Sequence, residues 1–176
     1  MNTQSSVPIE KLADKMNLTY KTPEVNLKGK KLTTTQVNRP ALQLTGYFDY
    51  FDADRLQVIG YVEYTYLETL TRERKRVVYE QLLASKIPAI VYTTQTIPED
   101  DMLELAVKYD VPIFTTDRET SAFVAEVLRW LNVELAPCIT IHGVLVDVYG
   151  EGVLIMGESG IGKSEAALEL IKRGHR

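Results

Sequence analysis

Residues 153–171 read VLIMGESGIGKSEAALELI, and within them Gly157, Glu158, Ser159, Gly160, Ile161, Gly162, Lys163 and Ser164 match the pattern G-x-x-x-x-G-K-[ST] in full. The apolar run Val153 to Met156 precedes the loop as a strand, and Ala166, Ala167, Leu168, Leu170 and Ile171 follow it at helical spacing. Strand, glycine loop and helix in that order make this part of the chain α/β. The residue types suit a phosphate cradle. Glycines let successive backbone N–H groups turn inward on an anion, and the helix N-terminus adds partial positive charge. Lys163 is placed to reach the β- and γ-phosphates of a nucleotide, and the Ser164 hydroxyl to ligate magnesium. Glu165 is either an outer group to that metal or an acid suited to the first helical turn.

Upstream, Gly143 to Tyr149 alternates like a strand and Gly150-Glu151-Gly152 has turn chemistry. The strand entering the loop is therefore expected to be the second arm of a β-hairpin. A turn centred on Glu151 sets His142 opposite Gly160, and a half-residue shift sets it opposite Ser159 or Ile161. On spacing alone His142 is either a strand-end histidine without chemistry or an imidazole beside phosphate, able to donate a hydrogen bond or exchange a proton near neutral pH. Asp147 is expected on a solvent face. His175 is expected near the C-terminus of the last helix, where positive charge is favoured.

Working back toward the start, Ala89 to Tyr92 and Val111 to Phe114 read as short buried strands. A helix opens at Pro98 with Met102, Leu105, Ala106 and Tyr109 on one face. A second, signalled by the capping pair Thr116 and Glu119, runs through Phe123, Val127 and Trp130 to about Asn132. Two βα units in succession predict a parallel sheet. Leu56 to Ile59 and Glu63 to Tyr66, with Gly60 between, read as paired strands. Pro8 starts a short amphipathic helix with Ile9, Leu12, Ala13 and Met16. The basic run Arg72 to Arg76 reads as the solvated face of a helix whose buried side is Val77, Val78 and Leu82. The stretch 132–137 is the natural boundary, giving an N-terminal α/β domain at 1–132 and the start of a P-loop kinase domain at 133–176.

Of 176 residues, 20 are Lys or Arg and 24 Asp or Glu, so the net charge of −4 argues against binding nucleic acid or a membrane surface through bulk positive charge. Any bound anion must be held locally. Cys138 is the only cysteine and cannot form an intrachain disulfide. The N-terminus lacks a basic segment followed by an apolar one, and no apolar run approaches the roughly 18–20 residues of a membrane span, so a soluble, cytoplasmic protein is expected.

The motifs HGVLVDVYG (142–150), GESGIGKSE (157–165) and ELIKRGHR (169–176), with RPALQLTGYFDYFDADRLQVIG (39–60), resemble the bacterial HPr kinase/phosphorylase family. Ala41 stands where the family pattern has glycine, and 114–123 departs further. The resemblance implies an N-terminal α/β domain and a C-terminal P-loop kinase domain assembled into a hexamer. It implies phosphorylation of a serine of the phosphocarrier protein HPr from ATP or pyrophosphate, and reversal of that modification by inorganic phosphate, in carbon catabolite regulation. By the same resemblance Lys163 binds phosphate, Ser164 helps hold Mg2+, and His142 is an active-site residue. A family member continues beyond Arg176 into a strand ending in paired aspartates, one the base for the serine hydroxyl. A cradle without that base is expected not to turn over, so this chain is expected to be a truncated, inactive part. Two other readings compatible with the loop are a P-loop kinase of a small metabolite and a non-catalytic ligand-sensing or assembly module.

Overall fold

The computed structural model describes residues 2–3, 6–138 and 141–176. The side chain of Cys138 lies outside the described residues. The chain divides into two compact units, residues 3–136 and residues 137–176 with the extreme N-terminus.

In chain order the first elements are β1 (Asn2–Thr3), β2 (Val7–Pro8), α1 (Ile9–Met16), β3 (Thr19–Tyr20), β4 (Lys31–Leu32), β5 (Val37–Asn38), α2 (Ala41–Leu44), β6 (Leu56–Ile59) and α3 (Tyr61–Glu68). They continue with α4 (Arg72–Ala84), β7 (Ile90–Tyr92), α5 (Asp100–Lys108), β8 (Ile113–Thr115) and α6 (Thr120–Glu134). Five strands form one sheet in the order β3-β8-β7-β6-β5, parallel except where β3 runs antiparallel to β8. A parallel sheet is covered on both faces, so its strands should be apolar throughout, and every residue of β6 and β7 is buried. Successive side chains go to opposite cores. Ile90 and Tyr92 join one cluster with Ile59, Ile113, Val78, Leu82, Met102 and Leu105. Val91 joins the other with Leu56, Val58, Phe114 and the α1 and α6 residues Ile9, Leu12, Met16, Phe123, Val127 and Leu131. The expected first helix, parallel sheet and βα units are present.

Three local expectations are corrected. Glu63 to Tyr66 is helical. The Glu63 carboxylate, 3% exposed, accepts from the Gly60 N–H at 3.0 Å and from Arg39 at 2.8 Å, so the first turn of α3 is closed by its own N3 acid. That local bonding outweighs the strand preference of Tyr64, Thr65 and Tyr66. Secondly, α6 begins at Thr120, after N-cap Glu119, because the backbone at Thr116 and Arg118 is bonded to Tyr92 and Thr94, at and just past the end of β7, instead of starting a helical turn. The Thr116 N–H donates to the Tyr92 carbonyl and the Thr94 N–H to the Arg118 carbonyl, both at 2.9 Å. Thirdly, Val77 is 45% exposed while Tyr79 and Leu83 are buried, so the apolar face of α4 is rotated from the expected one.

The basic run of α4 is engaged with carboxylates. Arg72 pairs with Asp101 through Nε at 2.6 Å and Nη2 at 2.9 Å. Arg76 reaches Asp101 and Glu104, and Lys75 joins Glu99 and Glu68. The Arg72 hydrogen bonds hold the Asp101 carboxyl below the usual carboxylate range. Among the described residues no helix is long and apolar enough to cross a membrane.

Candidate phosphate-binding site

Residues 137–176 form β9 (Pro137–Cys138), β10 (Gly143–Val148), β11 (Glu151–Met156) and α7 (Lys163–Lys172). β10 and β11 pair antiparallel, Val148 against Glu151 and Gly143 against Met156. The two residues between the arms, Tyr149 (φ 56°) and Gly150 (φ 88°), both have positive φ, which identifies the I′ geometry of a tight hairpin. The Asp147 Oδ1 accepts from the Gly150 N–H at 2.8 Å and supports the turn. The expected hairpin is thus present, but its turn lies at Tyr149-Gly150, and Glu151 and Gly152 belong to β11. Continuing the observed register one residue past Gly143 sets His142 against Gly157, three residues from the expected Gly160.

The corrected register still brings His142 to the loop. An open cavity of about 750 Å³ is lined by His142, Gly143 and Val144 on one side and by Gly157, Glu158, Ser159, Gly160, Gly162, Lys163, Ser164 and Glu165 on the other. Of the phosphate-loop candidates, together with His142 and Glu165, the cavity gathers all except Ile161, which is 69% exposed and does not line it. Ile161 instead lies against the root of the loop, where a Cβ on Gly157 would stand 3.0 Å from its Cγ2. Gly143 and Val144 were not candidates on sequence grounds; their only signal is adjacency to His142.

Within the loop, Gly160 and Gly162 adopt φ of 84° and 95°, a backbone state that side-chain-bearing residues avoid. Gly162 is the N-cap of α7, and its carbonyl accepts the Ala166 N–H at 2.9 Å. The Lys163 ammonium donates to the carbonyls of Gly157 (2.9 Å) and Glu158 (2.6 Å), folding back over the loop. An incoming phosphate competes for those N–H donors with charge-assisted bonds, which are the stronger kind. Ser164, Glu158 and Glu165 are among the residues lining the same cavity, and their side chains carry oxygen donors of the kind magnesium takes.

The remaining candidates are elsewhere. Asp147 is at the turn, and its backbone exchanges hydrogen bonds with Arg176. His175 lies three residues past the end of α7 and packs edge-on against Tyr149, with ring centroids 4.7 Å apart. Neither lines the phosphate cavity.

Comparison with known proteins gives two family matches. Residues 7–131 match the model described as the HPr Serine kinase N terminus, and residues 133–176 the HPr Serine kinase C-terminal domain. The chain is 57% identical over 171 residues to the HPr kinase/phosphorylase of Lachnoclostridium phytofermentans, covering 97% of this chain and 55% of that protein. It is 46% identical over 167 residues to the HPr kinase/phosphorylase of Caldicellulosiruptor bescii, covering 95% and 54%. The chain thus spans about half the length of the curated relatives it matches. A solved structure, the CBS and DRTGG domains of the regulatory region of Clostridium perfringens pyrophosphatase, aligns with 74% of this chain and 50% of its own at TM-score 0.52. Its sequence identity is 15%, so the likeness is one of fold.

Proposed function

Because the chain belongs to the HPr serine kinase family, we propose that residues 137–176 supply the phosphate cradle of an enzyme that phosphorylates a serine of HPr from ATP or pyrophosphate and removes that phosphate by phosphorolysis. The observation that carries this reading is the shared cavity of His142 and the glycine loop. Both directions of such chemistry need a site that holds a phosphate chain in line with its acceptor, and a pyrophosphate donor needs no contact to a nucleotide's adenine ring.

The chain's own residues divide the work. The N–H groups of the loop and the N-terminus of α7 surround the phosphate oxygens. Lys163 leaves the Gly157 and Glu158 carbonyls to neutralise charge on the transferred group. His142, facing the first glycine, donates to a phosphate oxygen or moves a proton there. Ser164, with Glu165 outside it, would hold Mg2+, which supplies positive charge to the phosphate oxygens when bound. We place HPr as the protein partner, a homo-oligomer as the assembly and the cytoplasm as the compartment, and residues 3–136 as a separate α/β domain.

Two measurements test the proposal. Titration of the chain with magnesium pyrophosphate should show binding that Lys163→Ala weakens about 10- to 100-fold, the equivalent of a lost charge-assisted hydrogen bond of roughly 1.5–3 kcal/mol. An unchanged affinity in the variant would remove Lys163 from the site. Intact-mass analysis of HPr incubated with ATP and magnesium, with the Lachnoclostridium phytofermentans relative as positive control, addresses the acceptor. A relative that binds ATP yet leaves HPr unmodified would overturn the acceptor assignment.

A further inference from the structure

We propose that Gly143 is a positioning residue for His142, a role resting on the reading of the cavity as a phosphate cradle. Gly143 does not have a positive φ, so the position does not call for glycine on conformational grounds. The need is space. A Cβ at 143 would lie 2.9 Å from the carbonyl oxygen of Ile155 and 2.9 Å from Cδ1 of Leu154. The leucine side chain can rotate away, but the carbonyl belongs to the facing strand of the hairpin and cannot yield without moving that strand.

The location of the clash gives it a functional meaning. Gly143 pairs with Met156 at the open end of the hairpin, where one strand begins just after His142 and the other ends just before Gly157. Prying the arms apart here displaces the imidazole relative to the root of the phosphate loop. The other end of the ladder, Val148 against Glu151, is closed by its own two-residue turn and is held independently. Gly152 provides an internal control, because a Cβ there would meet only Cδ1 of Leu145 at 3.8 Å, an ordinary contact. The same glycine-to-alanine change in the same hairpin therefore collides at 143 and fits at 152.

The test is NMR on the chain carrying Gly143→Ala or Gly152→Ala, free and titrated with magnesium pyrophosphate. In the free state Gly143→Ala should move the His142 ring and Gly157 amide signals and leave those of Gly150 and Glu151 in place. On titration the shift of the His142 ring should fall at least about twofold, while the Gly162 and Lys163 amides still respond to the ligand. Gly152→Ala should keep both responses. An undisturbed His142 in Gly143→Ala, or an equal disturbance in Gly152→Ala, would overturn the proposal. If the wild-type loop amides ignore pyrophosphate, the phosphate reading fails, and the free-state comparison still decides whether Gly143 places His142.

Discussion

Residues 3–136 bury both faces of a five-stranded sheet under helices, whereas among the described residues of 137–176 only Val146 and Ala167 are buried apolar side chains. The contrast separates two ways in which a sequence specifies structure. In the larger unit, position follows from long-range burial of alternating side chains against two cores. In the smaller one it follows from short-range bonding: an I′ turn, a ladder of six pairs and a glycine loop closed by its own lysine. The candidate phosphate site lies in the unit with little core. Its geometry is set by the backbone, which is what a site built from N–H donors requires.

The largest test of that contrast is a matched pair of core deletions. Phe114 is fully buried and stacked on Tyr20 with centroids 5.0 Å apart, so Phe114→Ala should destabilise residues 3–136 by about 3–5 kcal/mol. Denaturant unfolding followed by Trp130 fluorescence reads it. Val146→Ala removes two methyl groups and should destabilise the hairpin by about 1.6 kcal/mol at the usual cost per buried carbon, as read by amide exchange of β10 and β11. Equal costs would mean that the smaller unit is as core-dependent as the larger one.

The same contrast explains what the sequence made legible. β6, β7 and β8 could be read because strands buried on both faces are apolar runs whatever their neighbours. The loop could be read because its chemistry is local. The helix α3 was hidden by Tyr64, Thr65 and Tyr66, residues of strand type, and its one telling signal was an acid three places after Gly60. The start of α6 was misplaced by Thr116 and Glu119 because the backbone of Thr116 and Arg118 is bonded to Tyr92 and Thr94, distant in sequence. The hairpin register moved by three residues because Tyr149 takes a left-handed conformation that asparagine or glycine would have announced and tyrosine does not. His142 nevertheless reached the expected cavity, since the loop starts where the ladder ends.

A smaller effect is expected in acid, in the larger unit. Asp101 faces Arg72 and Arg76, and the Arg72 hydrogen bonds depress its folded pKa below the unfolded value of about 3.9. Between those values the unfolded chain binds more protons than the folded one. The contribution is therefore present above about pH 4 and lost as pH falls through the folded pKa. Asp101→Asn should flatten the acid limb of the stability profile of residues 3–136 and reduce its sensitivity to salt. An acid limb of unchanged slope would show that the bridge between α4 and α5 contributes nothing.

The smallest expected effect probes the bare face of the hairpin. Pairing puts Leu145 opposite Leu154, and Met156 continues the same face; the three are 70%, 43% and 61% exposed. Val146, one residue along and on the opposite face, is buried, which places α7 on that side alone. If the hairpin is held by its backbone, a polar residue on the bare face costs almost nothing, and Leu145→Lys should change amide protection in β10 and β11 by no more than about 0.5 kcal/mol. Lysine also suits an exposed strand, because it discourages pairing with a further chain. A loss well above that figure, growing with protein concentration, would mean that a second surface covers Leu145, Leu154 and Met156 in solution. The smaller unit would then draw on apolar burial after all, supplied by another copy of the chain.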